Sequence, residues 1–189
     1  MDPGLRRNDA ASYGKLNSKE IKPGCLYRVA VIIEDERFLT EIPKIRAICV
    51  KTCKDALKAT GLPGHFKAIE VNIMLSGDEK VKELNRQFMG KNKPTNVLSF
   101  PNSDLTLKNY REFPKEKILL GDIVLAFETI SREAKKQQKP FANHLRHLVI
   151  HATLHLAGYD HMEPEQAEIM EALEIKLLKN YSIKNPYII

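Results

Sequence analysis

Val29, Val31 and Ile33 alternate with Arg28, Ala30 and Ile32. That two-residue rhythm marks a strand with one buried face, so Leu26 to Glu34 is predicted as the first strand. From Thr40 to Thr60 the period lengthens: Ile45, Ile48, Cys49, Thr52 and Ala56 recur at helical intervals, and Gly61 and Pro63 stop the helix. A second strand is predicted over Ile69 to Leu75. Ser76-Gly-Asp-Glu79 has the form of a capping box, opening a helix through Phe88 with Val81, Leu84 and Phe88 inward. Asn96 to Phe100 reads as a short strand closed by Pro101. A polar loop over 102–117 follows, then a buried strand from Ile118 to Phe127 interrupted by Gly121-Asp122. Three helices complete the pattern, over Glu128 to Gln138, Pro140 to Ala157 and Glu163 to Asn180. The last begins Glu-Pro-Glu, as helix N-termini often do. This order predicts an α+β fold: a single domain over 25–189 with a small mixed sheet packed by helices. Residues 1–24 are polar, contain Pro3-Gly4 and Pro23-Gly24, and are predicted to be a flexible extension.

Composition narrows this picture modestly. The chain has 189 residues, 43% of them hydrophobic, enough for one sizeable core. No apolar run approaches the roughly 20 residues needed to span a bilayer. The N-terminus lacks the apolar centre of a secretory signal, and Asp2 and Asp9 sit poorly with a transit peptide, so the expected location is the cytoplasm. Cys25, Cys49 and Cys53 are an odd set and argue against a disulfide framework. Cys49 and Cys53 stand four apart on a predicted helix and read as buried thiols rather than a metal pair. The net charge of +6 suits an acidic partner such as RNA. Residues 1–27 hold five basic and three acidic residues, which leaves only +4 on the rest.

The chemistry concentrates near the C-terminus, where three of six histidines fall within the eleven residues His151-Ala-Thr-Leu-His-Leu-Ala-Gly-Tyr-Asp-His161. On a helix, His151 and His155 share one face about 6 Å apart along the axis. Gly158 stands where a left-handed cap would end the helix, turning the chain so that His161 can supply a third nitrogen. Three neutral imidazoles with an open fourth position describe a catalytic zinc site holding one Zn(2+) per chain. Leu145, Leu148, Val149, Ala152 and Leu156 form the core stripe of the same helix. The spacing H-x-x-x-H-x-x-G-x-x-H is similar to that of metzincin peptidases, which carry a glutamate base directly after the first histidine. Here that position is Ala152, which weakens a proteolytic reading. His144 and His147 read as packing residues, with a surface or phosphate-facing role as the alternative; His65 reads as a loop histidine.

The histidine segment closely resembles the signature H-G-x-L-H-L-x-G-Y-D-H of the bacterial YbeY family. Two further segments agree in order: Gly90-Lys-Asn-Lys-Pro-Thr-Asn-Val-Leu-Ser-Phe-Pro101 and Leu120-Gly-Asp-Ile-Val124. The resemblance runs from about Val29 to Leu178. It implies a metal-dependent endoribonuclease specific for single strands, with His151, His155 and His161 binding zinc. It also implies maturation of the 16S rRNA 3′ end and ribosome quality control. The implied partners are single-stranded RNA, the small ribosomal subunit and a ribosome-assembly GTPase.

Three positions depart from the family pattern: Met89 stands for its arginine, Asn92 for its aspartate and Ala152 for its glycine. Loss of the arginine removes a charged donor worth about 1–3 kcal/mol to a bound phosphate. Arg86, Lys91 or Lys93 is therefore expected to take over phosphate contact. Thr95 and Ser99 either offer neutral hydrogen bonds near the RNA cleft or fix the loop leading into the third strand; Asn96 is expected to support that loop, and Asp122 the turn between strand residues. Asp160 would either orient a ligand histidine or cap the turn. Two alternatives stay open: a non-catalytic ribosome-assembly factor with structural zinc, and a metal-dependent hydrolase of another substrate.

Overall fold

The computed structural model describes residues 24–187. Strand β1 (Leu26–Ile33) leads through a short helix α1 (Arg37–Glu41) to α2 (Ile45–Lys58). Strand β2 (Ala68–Ser76), helix α3 (Asp78–Met89), β3 (Val97–Pro101) and β4 (Lys117–Ala126) follow. Helices α4 (Phe127–Lys136), α5 (Phe141–Leu156) and α6 (Pro164–Lys179) close the chain. The sheet order is β1-β2-β4-β3, with β1, β2 and β4 parallel and β3 antiparallel to β4. This is the expected α+β domain with a mixed sheet. Among the described residues, no helix is long and apolar enough to cross a membrane. The expected extension over residues 1–24 lies outside the described residues, apart from Gly24.

Alternation in β1 and β2 sends Val29, Val31, Ile69, Val71, Ile73 and Leu75 to one side, where they meet α2 and α5. A smaller apolar layer, Val81, Leu98, Val124 and Ala126, holds α3 on the other face. Helix α5 is the central one. Its predicted stripe is buried, and Ile150, Thr153 and Leu154 on neighbouring faces are buried too, because α5 is covered by α2, α4, α6 and the sheet.

Five expectations are corrected. The helix predicted over 40–60 is two helices, broken at Ile42-Pro43; proline lacks an N–H, and Ile42 before it is extended at φ −140°. Ser76 does not cap α3, since its hydroxyl donates to Glu34 at 2.9 Å. Instead β2 and β4 end side by side, Ser76 opposite Ala126, and the two helices that follow cap each other. Glu128 Oε2 accepts from the Asp78 N–H at 2.8 Å, and Asp78 Oδ1 accepts from the Thr129 N–H at 2.9 Å.

Strand β4 is continuous through Gly121-Asp122, with a bulge that takes the register from Glu70↔Leu119 to Val71↔Gly121. Gly121 sits at φ +143°, and a Cβ there would lie 2.1 Å from the Phe100 carbonyl oxygen, so close approach of β3 demands glycine. Phe88, expected inward, is 58% exposed; the edge of the Phe100 ring covers one side of it. The 102–117 loop is only partly polar, because Leu105 and Tyr110 turn into the core. His65 pins that loop, donating from Nε2 to the Phe113 carbonyl at 2.8 Å and packing edge-on against Tyr110.

Candidate metal centre

Helix α5 ends in a Schellman motif: the Gly158 N–H reaches the His155 carbonyl and the Tyr159 N–H the Leu154 carbonyl, each at 3.0 Å. Gly158 takes φ +89°, which reverses the chain just past His155. Asp160 Oδ1 accepts from the His161 backbone N–H at 2.7 Å and fixes the bend. His151, His155 and His161 therefore converge, with one ring nitrogen from each lying within 4.8 Å of the others. The ring centroids stand 4.6, 4.8 and 5.4 Å apart.

The imidazoles are presented with their metal-binding atoms free. His151 Nδ1 donates to Glu174 Oε1 at 2.8 Å, and His155 Nδ1 donates to the Tyr159 carbonyl at 3.2 Å. Each Nε2 then carries a lone pair, and the two Nε2 atoms face one another at 3.2 Å. Two lone pairs at that distance repel unless a cation sits between them. A tetrahedral ion with metal–nitrogen distances of about 2.0–2.1 Å sets its nitrogens about 3.3–3.4 Å apart, close to the spacing of the His151 and His155 pair. Burial first, then the nearby His151 and His161, push the His155 pKa down to about 4, which keeps the ring in its ligating neutral form at neutral pH.

Glu174, on α6, is fully buried behind His151. Burial pushes its pKa up, but hydrogen bonds from His147, His151 and Tyr187 outweigh that and hold it near the floor of the carboxylate range, at about 2. Its Oε2 accepts from His147 Nε2 at 3.1 Å and from the Tyr187 hydroxyl. His144 is a packed residue: it is buried, and its Nε2 donates to Glu133 at 2.8 Å. Cys49 and Cys53 are buried free thiols, each pushed up to about 12 by burial, as inert core sulfurs would be.

His151 and His155 open onto a cleft of about 630 Å³. Its far wall is β3 with Ser99, and its rim is the loop carrying Thr106 and Lys108. That loop crosses directly above Gly158: a Cβ on Gly158 would sit 2.8 Å from Thr106 Cα. Arg86, Lys91 and Lys93 are exposed and are not among the lining residues; the basic side chain there is Lys108. The segment 91–96 is tied down from behind instead. Asn85 receives the Lys91 N–H and donates to the Lys93 carbonyl, while Asn96 bonds Glu133 and the Val97 N–H. Thr95 lies between these anchors, two residues before β3. Asp122 accepts from Asn72 across the sheet at 2.8 Å.

Sequence reading missed Glu174, Tyr187 and Lys108. For Glu174 a signal was available: Met170, Glu174, Leu177 and Leu178 share one helical face, and a lone carboxylate in an apolar stripe is a misfit that calls for a buried partner.

A mixed sheet with a central helix that ends in three gathered imidazoles defines a metal-site α+β domain. Its relatives give that class a family. The family model described as "Endoribonuclease YbeY" matches residues 31–182. A protein of Paramagnetospirillum magneticum called endoribonuclease YbeY is 43% identical over 159 residues, 84% of this chain and 94% of that protein. Namesakes from Sphingopyxis alaskensis and Magnetococcus marinus are 50% and 47% identical, over 63% and 64% of this chain and 71% and 84% of their own lengths. The chain belongs to the YbeY endoribonuclease family.

Proposed function

We propose that this chain is a zinc-dependent, single-strand-specific endoribonuclease of the cytoplasm. Its proposed task is maturation of the 16S rRNA 3′ end and ribosome quality control, with the small ribosomal subunit and a ribosome-assembly GTPase as partners. The observation that carries the reading is the placement of two facing Nε2 lone pairs on the wall of an open cleft, with a third imidazole beside them, in a chain of this family.

His151, His155 and His161 would hold the ion. Bound there, a divalent cation supplies Lewis acidity, acidifying a water it holds and offsetting charge that grows on a phosphate oxygen. The protein's own residues do the rest. The acceptors at the Nδ1 atoms of His155 and His151 hold a proton there and leave each Nε2 turned toward the ion. His161 is exposed and closes the triad from the solvent side. Lys108 and Ser99 line the cleft and face an incoming phosphodiester with one cation and one hydroxyl. Arg86, Lys91 and Lys93 would steer the flanking strand from outside it, where Met89 offers no charge.

A peptidase lacks its base here, because Ala152 is a fully buried methyl group. A non-catalytic assembly factor is the second reading, favoured by Met89 and by the position of Arg86, Lys91 and Lys93 away from the cleft. Incubating zinc-loaded protein with an unstructured RNA separates the two. The proposal predicts internal cuts that are lost in His155→Ala and reduced at least tenfold in Lys108→Ala. Intact RNA after prolonged incubation of the wild type would favour the assembly factor. The product ends name the nucleophile: a 2′,3′-cyclic phosphate means that the sugar hydroxyl attacks.

A further inference from the structure

Glu174 is the one carboxylate in the buried set of the described residues, and nothing about RNA contact explains it. An unpaired buried charge is strongly unfavourable, so its three partners are the key to its purpose. Oε1 accepts from His151 Nδ1 at 2.8 Å. Oε2 accepts from His147 Nε2 and from the Tyr187 hydroxyl. All three are donors, and an ionised carboxylate can only accept. The proton on His151 is thereby confined to Nδ1, which leaves Nε2 free.

Tyr187 comes from beyond the end of α6. After Lys179 the chain reverses, with Ser182 at φ +58°, and runs back along the helix. Asn185 Oδ1 accepts the Tyr187 N–H at 2.9 Å, a local turn that aims the ring inward. The ring then meets His147 edge-on, 5.9 Å between centroids at 86°. His147 in turn stands edge-on to His151 at 6.4 Å. One oxygen of the carboxylate faces the candidate ligand, and the other is clamped by a helix neighbour and by the C-terminal segment.

We infer that Glu174, held in place by His147 and Tyr187, is a positioning residue that fixes the tautomer and tilt of His151 for metal binding. The inference rests on the reading of His151 as a ligand and assigns the C-terminal segment a part in the centre although it supplies no ligand. Carboxylates behind ligating imidazoles commonly act in this way.

Two measurements test it on the full-length protein. The first is the His151 tautomer in metal-free protein, read from ¹⁵N imidazole shifts. The second is zinc affinity by competition with a chromophoric chelator. Wild type is expected to hold its proton on Nδ1. Glu174→Gln can donate as well as accept, so it admits the Nε2–H form, and zinc affinity is expected to fall about 10- to 100-fold. Tyr187→Phe is expected to lose affinity in the same direction by less, with its circular dichroism spectrum unchanged.

Unchanged tautomer and affinity in both variants would overturn the inference while leaving the metal site intact. Should Glu174→Gln not fold, Tyr187→Phe decides alone, since its site is 41% exposed and tolerates change; wild-type affinity in that variant overturns the clamp. A wild type that binds no zinc sinks the reading of the site, and the tautomer shift then still decides the inference for His151.

Discussion

Gly158 satisfies two constraints at once: it takes a left-handed φ of +89°, and it leaves room for the Thr106 backbone that crosses above it. The first was legible from its place after His155; the second was not, because Thr106 lies some fifty residues earlier in the chain. Gly158→Ala must bear both the conformational cost and a Cβ 2.8 Å from backbone, and backbone cannot swing aside as a side chain can. We expect a loss of about 2–4 kcal/mol in urea unfolding, together with weaker zinc binding as the bend carrying His161 shifts. A loss below about 0.5 kcal/mol would show that the loop gives way freely. His144 supplies a pH signature of its own. Burial first lowers its pKa from the ordinary value near 6.5, with Glu133 partly offsetting that effect. The unfolded chain therefore takes up the proton before the native one does, and stability rises with pH through this window. It is fully present above about pH 6.5 and declines as the pH falls below it. His144→Gln should flatten the difference in unfolding free energy between pH 7 and pH 5.5, measured by urea titration of the metal-free protein. An equally steep dependence in the variant would contradict the assignment.

Periodicity placed β1, β2, β3 and all three C-terminal helices within a residue or two, because each of these elements carries a regular apolar face. It failed where a single residue or a distant partner decides. Pro43 cuts a continuous helical pattern into α1 and α2. Gly121 bends β4 without ending it. The caps of α3 and α4 are supplied by Glu128 and Asp78, which stand fifty residues apart and meet only because β2 and β4 are neighbours. No local motif encodes that exchange, so Ser76 looked like the cap. Asp78→Ala and Glu128→Ala should each lower stability by about 1 kcal/mol. The double variant should lose less than the sum, since the two caps share one junction. Strict additivity in a double-mutant cycle would mean that the helix ends are independent.

At the scale of the whole molecule, the site lies where three separate parts of the chain meet. Helix α5 and its bend bring the imidazoles, β3 and the 102–117 loop build the far wall, and α6 with the C-terminal segment stands behind His151. The gathering of His151, His155 and His161 was legible because it is local, eleven residues on one helix end. The cleft and the buried Glu174 were not, because they exist only once the sheet and α6 have packed. The central claim is that this packing delivers three imidazoles to one ion. A ligand bound to the native state alone stabilises it by mass action, by about 2.7 kcal/mol at a hundred times its dissociation constant. The most direct test is therefore metal content of the purified chain, by inductively coupled plasma mass spectrometry, alongside thermal melting before and after chelation. The account predicts one divalent ion per chain, a lower melting temperature once it is removed, and loss of both effects in His155→Ala. Absence of stoichiometric metal in zinc-supplemented wild type, or full retention of it in His155→Ala, would contradict the account.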